Sequence, residues 1–422
     1  MPDKPEDTAQ EPLPGMFQIT PLNPAFNDDP HKILGRLRNE CPVHRDAATN
    51  TWIVSKHADV RGTLNDRTMW RHPKNAEEGS LARRGLDGPR PEGLPPRDPD
   101  SADTSILMLD DPDHARIREP LAKALYKRVA KCRPLVQKIV DEKLDAIGGA
   151  RTFDAMAEFA LLVPIDAIAR ILGVDNARLK EFRAWSEDVI LSLNPFCTPE
   201  ETQRFVKAAN ALSDYMHDMM ARRRKAPEDD LVSDMVALQA EGAARVTDNE
   251  LATNLQALLV GGNLTTTDLI GNALWLFLTH PDQLARLKAE PALINSAVEE
   301  VLRYESPVDI TGRIAPREMT LGSCPIHRTQ SMIFSLRGAN RDPAAFPEPD
   351  RFDIARKDAP HVAFGGGAHL CIGAPLARLE AQVAIPSFFA RFPNARLADP
   401  DAKPQWRTLP FFRGLKTLEV TV

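Results

Sequence analysis

One helix of about 33 residues, ~50 Å long at 1.5 Å per residue, constrains the fold of this chain more than any other feature. It begins at Thr247-Asp248-Asn249-Glu250, a capping box in which threonine and glutamate satisfy the free N–H groups of a helix start. It ends at Thr279, before His280-Pro281, because proline cannot continue the hydrogen-bond ladder. Asn263, Asp268 and other polar residues interrupt its apolar character, so we expect a central core helix and not a membrane span.

The remaining apolar pattern predicts a mainly α fold with minor β structure. Helical periodicity appears in five more segments, Pro120–Ile147, Thr152–Leu172, Arg178–Leu193, Pro199–Ala226 and Asp229–Glu241. Short strands are predicted near Trp52–Ser55, Met319–Leu321, Ser331–Leu336 and Leu415–Val422. Proline-rich stretches at Gly88–Pro99 and Pro343–Pro349 predict irregular loops.

Composition and charge exclude several classes of protein. A chain with 43% apolar and 27% charged residues is globular, and a net charge of −6 argues against a nucleic-acid partner. The five cysteines are odd in number and irregularly spaced, which predicts reduced thiols in the cytoplasm, with neither a disulfide framework nor a CxxC zinc site. Residues 1–15 are acidic and proline-rich, unlike a signal or transit peptide, and no apolar run suits a membrane span. We expect residues 1–20 to be flexible and residues 21–422 to form one domain.

The segment Phe364–Gly373, FGGGAHLCIG, carries the chemistry. Three glycines let the backbone bend tightly and pass close to a flat ligand. Cys371 follows at the start of a helix whose first turn includes Pro375. Free N–H groups and the helix dipole at that position are expected to lower the thiol pKa and favour the metal-binding thiolate.

Two other readings of this segment are weaker. A lone cysteine is most often a small buried hydrophobe, and a phosphate loop needs GxxxxGK[ST] or a strand–GxGxxG–helix, which are not found here. The segment resembles the haem signature of cytochromes P450, F-G-x-G-x-H-x-C-x-G, with every fixed position filled. The resemblance runs from about Pro21 to the C terminus. It implies a cytochrome P450 fold over 21–422, with haem b between the long central helix and the Cys-bearing loop and helix.

By this resemblance, Cys371 is the iron ligand, and Phe364, Gly365 and Gly373 belong to the cofactor-binding loop. Asp110–Arg118 resembles the family's H-x-x-x-R segment, in which His114 and Arg118 bind the haem propionates. These two residues are four apart and share a helix face. Arg313 and His369 match the family's other propionate contacts.

Glu300-Val301-Leu302-Arg303 looks like the family's E-x-x-R motif, in which one helical turn brings the two charges together. Arg351 looks like the arginine that completes this pair beneath the haem. An isolated E-x-x-R is more often a surface ion pair, but the Cys371 loop follows at the family's usual distance. The resemblance therefore implies a structural role for Glu300, Arg303 and Arg351.

Gly261–Thr266, GGNLTT, resembles the family's oxygen-binding groove, [AG]-G-x-[DE]-T-T. Each glycine costs about 1 kcal/mol against alanine in a helix interior, so either a ligand groove or tight helix packing is expected here. The acid position is Leu264, a departure from the pattern, whereas the threonine is kept. Thr265 is predicted to act on dioxygen and order water, with Asp268 one turn further on as a candidate replacement acid. The catalytic candidates are Gly261, Gly262, Asn263, Thr265, Thr266 and Asp268.

The resemblance implies monooxygenation, in which R–H, O2, two electrons and two protons give R–OH and water, by hydroxylation or O-dealkylation. The chain to Val422 carries no flavin or iron–sulfur module, so a ferredoxin and its reductase with NAD(P)H are the expected donors. An acidic redox partner is expected on a basic stripe of Arg116, Lys123 and Lys127, although a plain solvated face is an equal alternative.

The substrate class stays open. By family correspondence the pocket is largely apolar, so we expect a small hydrophobic molecule, and aromatic acids, terpenoids, fatty acids and macrolides all qualify. Two other functions compete: a peroxide-driven peroxygenase or dehydratase, favoured by Leu264 but disfavoured by Thr265, and a haem sensor, disfavoured because the sequence contains no output domain. The expected pocket segments are Gly88–Pro99, Leu193–Phe196, Ala257, Val260, Val308, Ile310, Phe411 and Phe412.

Overall fold

The computed structural model describes residues 12–87, 91–94, 105–194, 197–357 and 359–422. The α-helices are α1 (Pro24–Asp28), α2 (Pro30–Glu40), α3 (His57–Asn65), α4 (Arg84–Asp87), α5 (Asp113–Val129), α6 (Arg133–Ile147), α7 (Leu162–Leu172), α8 (Leu179–Val189), α9 (Pro199–Lys225), α10 (Leu231–Ala240), α11 (Asp248–Thr279), α12 (Pro281–Ala289), α13 (Ile294–Tyr304), α14 (Leu336–Ala339) and α15 (Ala374–Arg391). The strands are β1 (Val43–Asp46), β2 (Thr51–Val54), β3 (Thr152–Asp154), β4 (Ile310–Ile314), β5 (Met319–Leu321), β6 (Cys324–Ile326), β7 (Ser331–Ser335), β8 (Arg396–Leu397) and β9 (Glu419–Thr421). The predicted mainly α fold with minor β structure is confirmed.

Helix α11 is the central element, as its length predicts. Both halves of its capping box form: Glu250 N–H donates to Thr247 Oγ1 at 3.2 Å, and Thr247 N–H donates to the Glu250 carboxylate at 2.8 Å. The helix packs against α7, α8, α9, α13 and α15. Among the described residues, neither α11 nor any other helix combines the length and apolar character that a membrane crossing requires.

Two predicted helices differ from the structure at their boundaries. The segment Pro120–Ile147 is two helices, because α5 starts earlier, contains Pro120 in its interior, and stops at Val129 before α6 begins with a proline in its first turn. The segment Thr152–Leu172 starts as strand β3, continues as a π-helix at Met156–Ala160, and becomes α-helical only from Leu162. Strand β3 exists because it pairs with β9 near the C terminus, a contact that local periodicity does not encode.

A mixed sheet beside the helical core has the strand order β1-β2-β7-β4. Strands β2 and β7 are parallel, with Ile53 opposite Ile333, while β4 runs antiparallel to β7, with Arg313 opposite Met332. The β5–β6 hairpin and a three-stranded sheet, β3-β9-β8, complete the β structure. Strand β4 thereby holds Arg313 in a fixed, buried position.

The predicted flexible segment 1–20 is too long. Residues 1–11 lie outside the described residues, but Met16–Ile19 form a 3-10 helix. The Met16 and Ile19 side chains are buried in a cluster with Phe26, Leu34 and Leu37. Apolar burial fixes this stretch despite the prolines that precede it.

Candidate functional site

The Phe364–Gly373 loop turns back on itself before α15. Cys371 N–H donates to the Phe364 carbonyl at 3.0 Å, and both Gly365 (φ +71) and Gly367 (φ +64) adopt the left-handed conformation that favours glycine. A Cβ atom at Gly367 would lie 2.3 Å from the Leu64 carbonyl oxygen. Gly367 therefore permits a close approach of this loop to the end of α3, and the expected approach of the glycine run to a flat ligand stays a prediction.

The Cys371 thiol differs from expectation in its pKa. The N–H groups of Gly373 and Ala374 do lower this pKa, as the helix start predicts, but burial outweighs them and raises it. The residue nevertheless keeps an exposed surface. A bound metal cation would lower the pKa of Cys371 despite this burial, because metal coordination deprotonates a thiol.

Four predicted propionate-binding residues come together around the Cys371 loop. The His114 and His369 rings lie 4.2 Å apart, Arg118 donates to the Leu370 carbonyl, and Arg313 donates to the Gly366 carbonyl at 3.3 Å. The His114 Nε2 atom is buried and has no hydrogen-bond partner. Burial, reinforced by the arginines, lowers the pKa of His369 to about 2, so its ring is neutral.

Arg71 is a further cation at this cluster that sequence analysis missed. Its backbone N–H donates to Asp110 at 2.6 Å, and its guanidinium donates to Thr311 Oγ1 at 3.3 Å. Burial lowers the pKa of Arg71 to about 10, and burial together with Arg71 lowers the pKa of Arg313 to about 9. No motif surrounds Arg71 in the sequence, and only the tertiary structure brings it to Arg313.

The charges of this cluster match haem. Three positive charges come from Arg71, Arg118 and Arg313, and the nearby Asp110 carboxylate supplies one negative charge. That carboxylate accepts N–H hydrogen bonds from Arg71, His72 and Asn75. Two propionates would neutralise the remainder, and the unpartnered His114 Nε2 offers a further polar contact. A cavity of about 170 Å³ at this position is lined by Arg67, Thr68, Met69, Trp70, Asp110, Asp111, His114, Ala368 and His369.

The Glu300–Arg303 pair forms in α13 and is fully buried. Arg303 donates to both Glu300 oxygens, at 2.7 and 2.8 Å, and to the backbone carbonyls of Asn340, Pro349 and Arg351. The pair therefore fastens α13 to the irregular segment before the Cys371 loop.

The third member of this pair is Arg356, and the assignment of Arg351 is wrong. The Arg351 side chain is 58% exposed and pairs with Glu348 at 3.3 Å, whereas the Arg356 side chain donates to Glu300 at 3.2 Å. Both arginines lie in the same irregular stretch, five residues apart, where no helical spacing selects one of them. The chain path through Pro347–Arg356 decides between them.

One face of α11 is accessible in its otherwise buried middle. Ala257, Val260, Gly261 and Thr265 are at least partly exposed and lie on that face at helical spacing. A Cβ atom at Gly261 would meet no atom within 4 Å, whereas one at Gly262 would contact Ile168 at 3.6 Å. Gly261 thus borders open space, and Gly262 serves helix packing.

The other predicted groove residues are less accessible. Asn263 and Thr266 are buried, and Asn263 lies on the side of α11 opposite Gly261 and Thr265, so the structure does not bring it to the accessible face. Thr265 Oγ1 donates to the Gly261 carbonyl at 2.8 Å, which leaves its lone pairs free to accept a hydrogen bond.

Asp268 continues the same face of α11 by one turn but is fully buried. It pairs with Arg407, and its Oδ2 atom has no hydrogen-bond partner. Burial raises the pKa of Asp268 to about 7, although the Arg407 guanidinium lowers it. This carboxyl can therefore hold or release a proton near neutral pH.

Four of the predicted pocket residues, Val308, Ile310, Phe411 and Phe412, are each partly exposed and lie on two segments that pair through their backbones, and we call them the apolar group. Val308 and Phe412 pair in an isolated β-bridge, and Asp309 N–H donates to the Phe411 carbonyl at 2.9 Å. Ile310 and Phe411 pack against the N-terminal cluster around Phe26. The expected pocket residues at 88–90, 95–99 and 195–196 lie outside the described residues.

The predicted basic stripe for a redox partner is incomplete. Arg116 bonds to Asp113 and the buried Glu250 carboxylate, both at 2.7 Å, so it fastens α5 to α11. Lys123 and Lys127 are exposed. Helical periodicity placed all three on one face but did not show that Arg116 is already paired.

The chain is similar to known proteins of one family along most of its length. A family model described as Cytochrome P450 matches residues 89–408. Cytochrome P450 107B1 of Saccharopolyspora erythraea is 36% identical over 94% of this chain and 96% of that protein. The 6-deoxyerythronolide B hydroxylase of the same organism is 33% identical over 94% of this chain and 96% of that protein. Among solved structures, the Bacillus subtilis 168 bacillaene polyketide synthase cytochrome P450 PksS superposes with a TM-score of 0.82, at 30% identity over 95% of this chain and 98% of that one.

Proposed function

The chain belongs to the cytochrome P450 family and is a haem b monooxygenase, and we propose that its substrate is a largely hydrophobic organic molecule. The reaction proposed is hydroxylation or O-dealkylation, with electrons from a separate ferredoxin and its NAD(P)H-dependent reductase. The observation that carries this proposal is the partly exposed apolar group of Val308, Ile310, Phe411 and Phe412, together with Ala257 and Val260 on the accessible face of α11. A relative named as a hydroxylase supports the reaction type.

Haem held by a cysteine thiolate supplies the oxygen chemistry, because the thiolate pushes electron density toward iron and favours O–O cleavage. The chain's own residues bind and orient the reactants. Cys371 would supply the thiolate, and His114, Arg118, Arg313 and His369, joined by Arg71, would hold the propionates. The apolar group would exclude water and align the substrate by shape.

Proton delivery is where this chain departs from its family. Leu264 replaces the acid, and a leucine neither carries a proton nor orders water. We propose that protons are delivered by a water molecule that lies beside Gly261 and donates a hydrogen bond to Thr265 Oγ1. The free lone pairs of Thr265 Oγ1 and the open space at Gly261 support this route. Asp268, with its pKa near 7 and its unpartnered Oδ2, is the rival source.

Leu264→Glu should raise turnover and lower the hydrogen peroxide released per NAD(P)H consumed, because a positioned general acid contributes about 10²–10⁴-fold. Thr265→Ala should raise peroxide release. Both quantities are measured with NAD(P)H consumption, a peroxide assay and product analysis, at matched haem content.

Leu264→Gln is the matched control, since it has the size and polarity of glutamate without a proton to give. Equal gains from glutamine and glutamate would contradict the acid argument. If Leu264→Glu changes neither quantity while Asp268→Asn abolishes turnover, Asp268 is the relay and the water route is wrong.

Reconstitution tests the proposed electron source and substrate class. A library of apolar compounds is screened for a low-to-high spin shift of the haem spectrum, and the best binder is offered with ferredoxin, reductase and NAD(P)H, or with hydrogen peroxide alone. We expect product with the ferredoxin system. Product formed efficiently from peroxide alone, and not from the ferredoxin system, would refute the proposed donor.

A further inference from the structure

Two cysteines that are far apart in the sequence meet at one backbone carbonyl. Cys41 follows the last residue of α2, and Cys324 begins β6. The Cys41 thiol donates to the Val43 carbonyl oxygen at 3.4 Å, and the Cys324 thiol approaches the same oxygen at 3.6 Å. The sum of these distances limits the separation of the two sulfur atoms to 7.0 Å.

The two thiols lie close enough for the charge of one to affect the pKa of the other, and solvent can reach both. Burial raises the pKa of Cys41, and the Cys324 thiol raises it further. Both residues are partly exposed, in contrast to the buried Cys132. Small oxidants can therefore reach the pair without opening the core.

We propose that Cys41 and Cys324 form an oxidative modification site, which closes as an intramolecular disulfide when the protein meets hydrogen peroxide. One thiol is oxidised to a sulfenic acid as the peroxide O–O bond breaks and water leaves. The second thiol then displaces hydroxide, which leaves as water with the thiol proton, and the S–S bond forms. The sum is two thiols and one peroxide giving one disulfide and two waters, with sulfur oxidised and peroxide oxygen reduced.

The surroundings can accommodate the bond. A disulfide needs an S–S distance of about 2.05 Å, so both side chains must rotate from the Val43 carbonyl toward each other. The β5–β6 hairpin that carries Cys324 pairs only three residues per strand, and Gly322 in its turn is left-handed (φ +58). The disulfide would fasten this hairpin to the chain between α2 and β1.

The test uses the full chain with haem bound. After exposure to hydrogen peroxide and quenching, the protein is denatured, its free thiols are counted, and its proteolytic peptides are mapped by mass. We expect two of the five thiols to be lost. We also expect one cross-linked peptide pair that contains Cys41 and Cys324 and is released by dithiothreitol.

Cys41→Ser and Cys324→Ser should each abolish the cross-link. Cys197→Ser should retain it, and it is the matched control because Cys197 is also partly exposed and donates to a carbonyl, that of Leu191, at 3.0 Å. The peptide map of the wild-type protein still tests for the Cys41–Cys324 disulfide if a variant folds poorly. Thiol counts that do not change, thiols lost without the Cys41–Cys324 pair, or cross-links only between chains would each overturn the proposal.

Discussion

Replacing Arg303 by alanine should destabilise the protein by about 3–5 kcal/mol, because it leaves the Glu300 carboxylate buried without its main partner. Glu300 and Arg303 are each 1% exposed. The same change removes the hydrogen bonds that hold the carbonyls of Asn340 and Pro349. We expect poorly folded protein, or protein with little haem, as measured by thermal unfolding and by the ratio of haem to protein.

Arg351→Ala and Arg356→Ala are the controls that the structure provides. Arg351 is exposed, so its loss should change the free energy of unfolding by no more than about 0.5 kcal/mol. Arg356→Ala should cost about 1–3 kcal/mol, since its guanidinium donates to the buried Glu300. If Arg351→Ala lowered the free energy of unfolding severely and Arg356→Ala left it unchanged, Arg351 would be the arginine that completes the Glu300–Arg303 pair.

Replacing Cys371 by histidine should abolish the red-shifted Soret band of the reduced, CO-bound protein. That band requires a thiolate, whose electron donation a neutral imidazole does not reproduce. Monooxygenase activity should be lost together with the band, even where haem still binds through Arg118, Arg313 and the other cations. The measurement is the CO difference spectrum at equal haem content.

Cys197→Ser and Cys132→Ser are the controls for this substitution, and both should keep the band. Cys197 donates to the Leu191 carbonyl, and Cys132 is buried between α5 and α6. A CO spectrum that Cys371→His leaves unchanged would mean that another residue holds the iron.

The features of the site that could be predicted are those set by the spacing of residues within one helical turn or one loop. The capping box at Thr247, the accessible glycine at 261 with Thr265 one turn later, and the Glu300–Arg303 pair all follow from the geometry of one helical turn. The Phe364–Gly373 loop is similarly local, since its turn and the start of α15 lie within one short segment.

Residues that depend on the path of a distant segment could not be predicted in this way. Arg71 joins Arg313 only because the chain after α3 passes the end of β4, and Arg356 replaces Arg351 because of the path before the Cys371 loop. Helical spacing predicted Arg116 as a docking residue, and the prediction missed its ion pair because the partner Glu250 lies on another helix.

Residues within one helical turn or one loop were enough to predict the helical class, the central helix and the spacing of the motifs, and they make Cys371 the predicted iron ligand. The path of the folded chain is what places Arg356 at the Glu300 pair, brings Arg71 to the cation cluster, and brings Cys41 to Cys324. It also decided the net pKa shift of Cys371, since desolvation outweighs the helix N–H groups. The physical reason is the same in each case: burial and long-range pairing depend on atoms that other parts of the chain supply.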